Sequence, residues 1–86
     1  QNYPNPFNPT TVIEYTLQKK TQVNLDIYNL LGQKVKTLVN EYQSPGSYRI
    51  FWDGRNEQDQ TVASGIYFYK LEGNGVSKTK KMIMLK

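Results

Sequence analysis

The sequence predicts an all-β sandwich, and three observations lead there. From Thr11 onward apolar residues recur at every second position, which is the signature of a strand with one face buried. Clusters of glycine, proline, asparagine and aspartate interrupt these stretches at short intervals, and no stretch repeats its apolar residues at the helical period. With 86 residues the chain forms one domain, residues 1–86, near the lower end of what a single core sustains.

The elements follow in order. Residues 1–10 form a Pro/Asn-rich strap: Asn2 to Pro9 interleaves three prolines and three asparagines with Tyr3 and Phe7. Proline fixes its own φ and keeps the preceding residue extended, so this segment is no helix, and the two aromatics are expected to pin it to one end of the core. In Thr11 to Leu17, Ile13, Tyr15 and Leu17 share one face against Glu14 and Thr16. Val23, Leu25 and Ile27 repeat the pattern against Asn24 and Asp26. Lys19, Lys20 and Thr21 link these two strands, which are expected to pair antiparallel.

Gly32 in Asn29 to Gln33 supplies a turn that tolerates positive φ, and Leu30 or Leu31 is positioned to cap the core. A third strand is expected over Lys34 to Val39, then a segment ending in the turn Ser44, Pro45 and Gly46, then a fourth strand, Ser47 to Trp52. Tyr48, Ile50 and Trp52 lie on one face of it, with Trp52, the one tryptophan, as the core keystone. Asp53 and Gly54 break that strand, and Asp53 suits a side-chain turn onto nearby amides. Gly65 introduces Ile66 to Glu72, apolar on both faces and therefore central, with Tyr67 and Tyr69 facing the core. Gly73, Asn74 and Gly75 favour a tight hairpin onto a basic, apolar last strand, Thr79 to Lys86.

Composition removes whole classes of chemistry. Without cysteine or histidine there are no common zinc sets, thiol nucleophiles or histidine-based triads, and no cofactor or enzymatic role is expected. The formal charge of +4 is concentrated at Lys78, Lys80, Lys81 and Lys86 and at Lys19, Lys20, Lys34 and Lys36. Such lysines ordinarily solvate strand edges and keep them from aggregating. Basic and aromatic residues are not interleaved in a nucleic-acid motif, and no apolar run has the length to insert in a membrane. A chain that starts at Gln1 without methionine, and without a signal peptide, is expected to be a piece of a longer protein.

Five motifs in order carry a family resemblance: YPNPFNP at Tyr3 to Pro9, IYNLLGQKV at Ile27 to Val35, WDG at Trp52 to Gly54, SGIYFY at Ser64 to Tyr69, and TKKMIMLK at the end. Together they resemble the type A C-terminal sorting domain of type IX secretion substrates. Residues Gly46 to Leu71 also look like the immunoglobulin-like domain of the flagellar hook-capping protein. Both resemblances imply an immunoglobulin-like antiparallel β-sandwich of about seven strands. The first implies a sorting signal that directs a covalently preceding cargo through the periplasm and the outer-membrane translocon to the surface of a Gram-negative bacterium. A sortase-like peptidase commonly removes such domains. The translocon would then read Lys80, Lys81, Met82, Ile83, Met84, Leu85 and Lys86. The second implies a passive structural module of a larger extracellular protein, a spacer or a carbohydrate-adhesion domain. Relatives often carry glycine where this chain has Asp59 and proline where it has Thr61; a left-handed backbone at Asp59 would be tolerated.

Two other sites are suggested by composition. Asp53, Glu57 and Asp59 could offer oxygen ligands to calcium, but Arg55 stands where a ligand should be. The seven tyrosines could build a carbohydrate platform, but the core needs Tyr15, Tyr48, Tyr67 and Tyr69 along with Trp52, leaving Tyr28 and Tyr42 freer.

Overall fold

In the computed structural model, residues 11–73 and 75–84 are described. The strap with Tyr3 and Phe7, the turn residue Asn74, and Leu85 and Lys86 lie outside them. The described residues form six strands: β1 (Thr11–Leu17), β2 (Thr21–Asn29), β3 (Lys34–Gln43), β4 (Gly46–Trp52), β5 (Gly65–Gly73) and β6 (Val76–Met84). They make two antiparallel sheets, one of order β3-β2-β5-β6 and one of order β1-β4. This is a β-sandwich of immunoglobulin type with a large sheet and a small one.

Burial follows the period-two pattern. Ile13 and Tyr15 from β1, Val23, Leu25 and Ile27 from β2, Trp52 from β4, Tyr67 and Tyr69 from β5, and Met82 and Met84 from β6 meet in one core. Tyr67 and Tyr69 stand opposite Met82 and Lys80, so alternate residues of β6 face the same side as the core aromatics. Trp52 packs edge-on against Tyr67 at 5.3 Å between ring centres, which ties the two sheets together. Tyr15 stacks on Tyr48 at the same separation and donates to Gln43 Oε1 at 2.6 Å, linking β1 to the end of β3.

Three expectations are corrected. β1 does not pair with β2; it pairs with β4, Thr11 opposite Trp52 through Leu17 opposite Gly46. Both edges of β2 are taken by β3 and β5, so the exposed polar link at 18–20 carries the chain from the small sheet to the large one. β3 does not stop at Val39 but runs to Gln43, because Asn40 hydrogen-bonds to Gln22 and the ladder with β2 continues to Thr21 opposite Gln43. The turn into β4 is therefore short. Finally, Leu30 and Leu31 do not cap the core; they project into solvent, Leu31 at 83% exposure.

The expected central strand does lie inside the large sheet, with β2 on one side and β6 on the other. Residues 53–64, between β4 and β5, form no strand; a single bridge joins Arg55 to Thr61.

Candidate interaction surface

Two turns of the same construction flank the upper end of the sandwich. Asn29 accepts the Leu31 and Gln33 amides on Oδ1 at 3.0 and 2.9 Å, and its Nδ2 donates to Gln33 Oε1. Its own amide donates to Gln33 O, and its carbonyl accepts the Gly32 amide. Asn56 repeats every one of these bonds with Gln58, Asp59 and Gln60. The fourth residue of each turn is left-handed, Gly32 at φ 83° and Asp59 at φ 63°. NLLGQ and NEQDQ are thus one turn written twice, and aspartate serves where the other copy has glycine because its short polar side chain tolerates that backbone region.

The loop bearing the second turn has structural tasks. Asp53 accepts the Arg55 amide on Oδ1, the turn expected for it. Trp52 Nε1 donates to Arg55 O at 2.9 Å, and Gly54, at φ 77°, accepts the Val62 amide. Glu57 reaches across to accept the Thr37 amide at 2.7 Å, covering part of the free edge of β3. Asp53 and Asp59 both ion-pair with Arg55, at 3.7 and 3.8 Å, while Glu57 turns to Thr37, and no group of three or more side chains that could hold a metal ion is gathered among the described residues.

Tyr67 donates to Ala63 O at 2.7 Å and Tyr48 to Ser44 O at 2.5 Å, each four residues back. These are tyrosine corners, which fix the chain where it enters a strand of an immunoglobulin-type sandwich. Burial raises the pKa of Tyr67 and Tyr69 above the ordinary phenol value; it also raises that of Tyr15, against the opposing pull of the Gln43 hydrogen bond. Tyr28 is half-buried on the outer face beside Phe68, and Tyr42 is exposed near the opposite end of the sheet, opposite Gln22. The two freer tyrosines therefore do not form one platform.

The last strand divides its residues. Met82 and Met84 are buried in the core, whereas Lys80, Lys81 and Ile83 are exposed; Gly65 stands opposite Met84 at the end of the β5–β6 ladder. Among the described residues β6 is an edge strand, and so is β1 in the small sheet. Between them runs a groove of about 380 Å³ with Leu17, Tyr69 and Leu71 on its apolar side and Lys78 and Lys80 along β6. Periodicity alone does not find this groove, because it depends on which strands end up at the edges.

Residues 8–76 match the model of the FlgD Ig-like domain family. The chain belongs to this family. Among solved structures, the crystal structure of FlgD from P. aeruginosa superposes with a TM-score of 0.67 at 19% identity, over 87% of this chain and 60% of that one. The likeness at that identity is one of fold, and the chain spans about three fifths of that relative's length. No curated protein matches the chain. The FlgD Ig-like assignment accounts for the sandwich and supports the relation to the hook-capping protein suggested by Gly46 to Leu71.

Proposed function

We propose that this chain is a structural immunoglobulin-like module of a larger extracellular protein, a spacer of the hook-capping kind, with no catalytic role. The observation that carries this reading is the family match over residues 8–76. It is supported by the assignment of the side chains most suited to chemistry: Tyr15, Trp52, Tyr67 and Tyr69 hold the core, and Asp53, Asn56 and Glu57 hold turns and an edge. The separation of Tyr28 from Tyr42 favours a spacer over a carbohydrate-adhesion domain. The test is replacement: exchanging the chain in its parent protein for an unrelated immunoglobulin-like domain should leave export and activity of the parent unchanged.

A second reading, the type IX sorting signal, is favoured by the position of β6. The strand that carries Lys80, Lys81 and Ile83 lies at a sheet edge with its basic residues exposed, where a translocon component could pair with it. On this reading the partners are the translocon, a sortase-like protein of the outer membrane and the preceding cargo. Fused behind a periplasmic reporter in a host with type IX secretion, the chain would bring the reporter to the surface, and removing Lys80 to Lys86 would stop it. A reporter that stays in the periplasm leaves the structural module as the function.

A further inference from the structure

We infer that the groove between β1 and β6 is a binding site for an extended acidic peptide, which adds as a third strand at the free edge of β1 and places its carboxylates against Lys78 and Lys80. The inference goes beyond a structural role and holds whichever reading above is correct. It begins from an imbalance in the fold. Among the described residues the large sheet has four strands and the small one two, so the small sheet leaves part of the inner face of the large one without a facing strand. The groove is the uncovered part: β1 lines one wall, β5 and β6 the other, and no residue of β4 contributes.

The chemistry of the walls selects the ligand. Leu71 and Tyr69 are core-facing residues of β5, and Lys78 and Lys80 stand directly opposite them on β6, so these two lysines point to the inner side of the sandwich. Neither makes an ion pair among the described residues. Glu14, the one carboxylate lining the groove, is already engaged by Arg49 at 3.1 Å. Among the described residues the groove therefore offers an apolar strip, two cations without ion pairs and the edge of β1 that does not pair with β4. An extended segment with an acidic side chain at every second position complements all three: its alternate residues face the same way, into the groove, where their carboxylates meet the lysines and their methylene stems lie along the apolar strip, and its backbone completes the ladder.

A second copy of the chain is disfavoured as the occupant. It carries a formal charge of +4, and its own edge strand β6 is basic, so it would bring lysine against lysine. Inward-pointing charge is a common guard against edge-to-edge pairing. Here the same guard is selective, because it repels a basic strand and attracts an acidic one.

The test uses the 86-residue chain and a blocked peptide matched in length to β1 that alternates valine with glutamate, with valine–glutamine and valine–lysine peptides as controls. Backbone amide shifts are followed by NMR at low ionic strength, and affinities by fluorescence anisotropy of labelled peptides. The glutamate peptide should shift the amides of β1 and β6, bind about tenfold more tightly than the glutamine peptide, and weaken as salt is added. The double variant Lys78→Gln, Lys80→Gln should abolish that preference, while Lys19→Gln, Lys20→Gln, which removes the same charge outside the groove, should keep it. The inference is overturned by no shifts with the parent chain, by shifts centred elsewhere, such as the Leu30–Leu31 turn, or by equal losses in the two double variants. Self-association through β1 or β6 at low ionic strength would also overturn it. Matching far-ultraviolet circular dichroism of parent and variants confirms that exposed lysines, not the fold, were altered.

Discussion

Truncating Trp52 tests the core most directly. The side chain is 1% exposed, packs edge-on against Tyr67 and donates its indole N–H to Arg55 O, so one residue joins the small sheet, the large sheet and the loop that follows β4. Replacing a buried aromatic by alanine removes about 3–5 kcal/mol through lost transfer energy and a residual cavity. A chain of this length has about 4–13 kcal/mol of stability in total. Trp52→Ala should therefore be barely folded at room temperature. With a urea slope of about 1 kcal/mol per molar, its midpoint should fall by about 3 M or more. Trp52→Phe keeps most of the ring and loses the hydrogen bond, so a decrease of about 1–2 kcal/mol is expected. Both variants remove the chain's one tryptophan, so the assay is far-ultraviolet circular dichroism during urea titration rather than indole fluorescence. A midpoint for Trp52→Ala equal to that of the parent would refute the central place of this side chain. If the phenylalanine variant were as unstable as the alanine one, the hydrogen bond to Arg55, not the packing, would be what matters.

Asn29→Ala and Asn56→Ala each delete a side chain that holds two turn amides, so each should lose about 1–2 kcal/mol in urea titration, and the double variant should lose the sum because the turns share no bonds. Asp59→Gly should leave stability unchanged or raise it by a few tenths of a kcal/mol: glycine relieves the left-handed backbone, its extra chain entropy offsets part of the gain, and the exposed contact to Arg55 contributes little. Clear destabilisation of Asp59→Gly would show that the carboxylate has a role of its own. Tyr15, Tyr67 and Tyr69 retain their protons in the folded state above the ordinary value of 10.0 at which the unfolded chain releases them. Their contribution is therefore fully present below that value and is lost as the pH rises past it, so urea midpoints should decline more steeply between about pH 10 and 11 than between about pH 8 and 9. Triple replacement of these tyrosines by phenylalanine should flatten that decline.

The strands were legible because period two is a local property: Ile13, Tyr15, Val23, Leu25, Ile27 and Trp52 are buried where alternation puts them. Pairing was not legible in the same way. Whether β1 lies beside β2 or β4 depends on how many partners β2 already has, and that is fixed by strands far along the chain. Asp26 shows the same limit. Alternation sends it to the outer, polar face of β2, yet it is 6% exposed because Thr37 Oγ1 donates to it at 2.8 Å and Lys34 stands 3.8 Å away. One signal was present and easily overlooked: an asparagine and a glutamine four residues apart, with glycine or aspartate before the glutamine, marks both five-bond turns. The groove had no local signature, since Lys78 and Lys80 become inward-facing only when β6 pairs with β5 in register.

The free edges of the large sheet are protected in different ways, and the difference is testable. On β3 the loop residue Glu57 occupies the Thr37 amide, a steric and hydrogen-bonded cover. On β6 the guard among the described residues is charge, through Lys78 and Lys80 facing inward and Lys81 outward. Charge repels only while it is unscreened, and at about 1 M salt the screening length falls to roughly 3 Å. The chain should therefore remain monomeric in sedimentation velocity at low salt and begin to associate at high salt. Lys78→Val, Lys80→Val should associate even at low salt, because it removes the repulsion and extends the apolar strip formed by Leu17, Tyr69 and Leu71. Glu57→Ala uncovers one amide of β3 but adds no apolar surface and should associate far less. A valine variant that stays monomeric at every concentration and salt would mean that β6 is guarded by something other than its lysines.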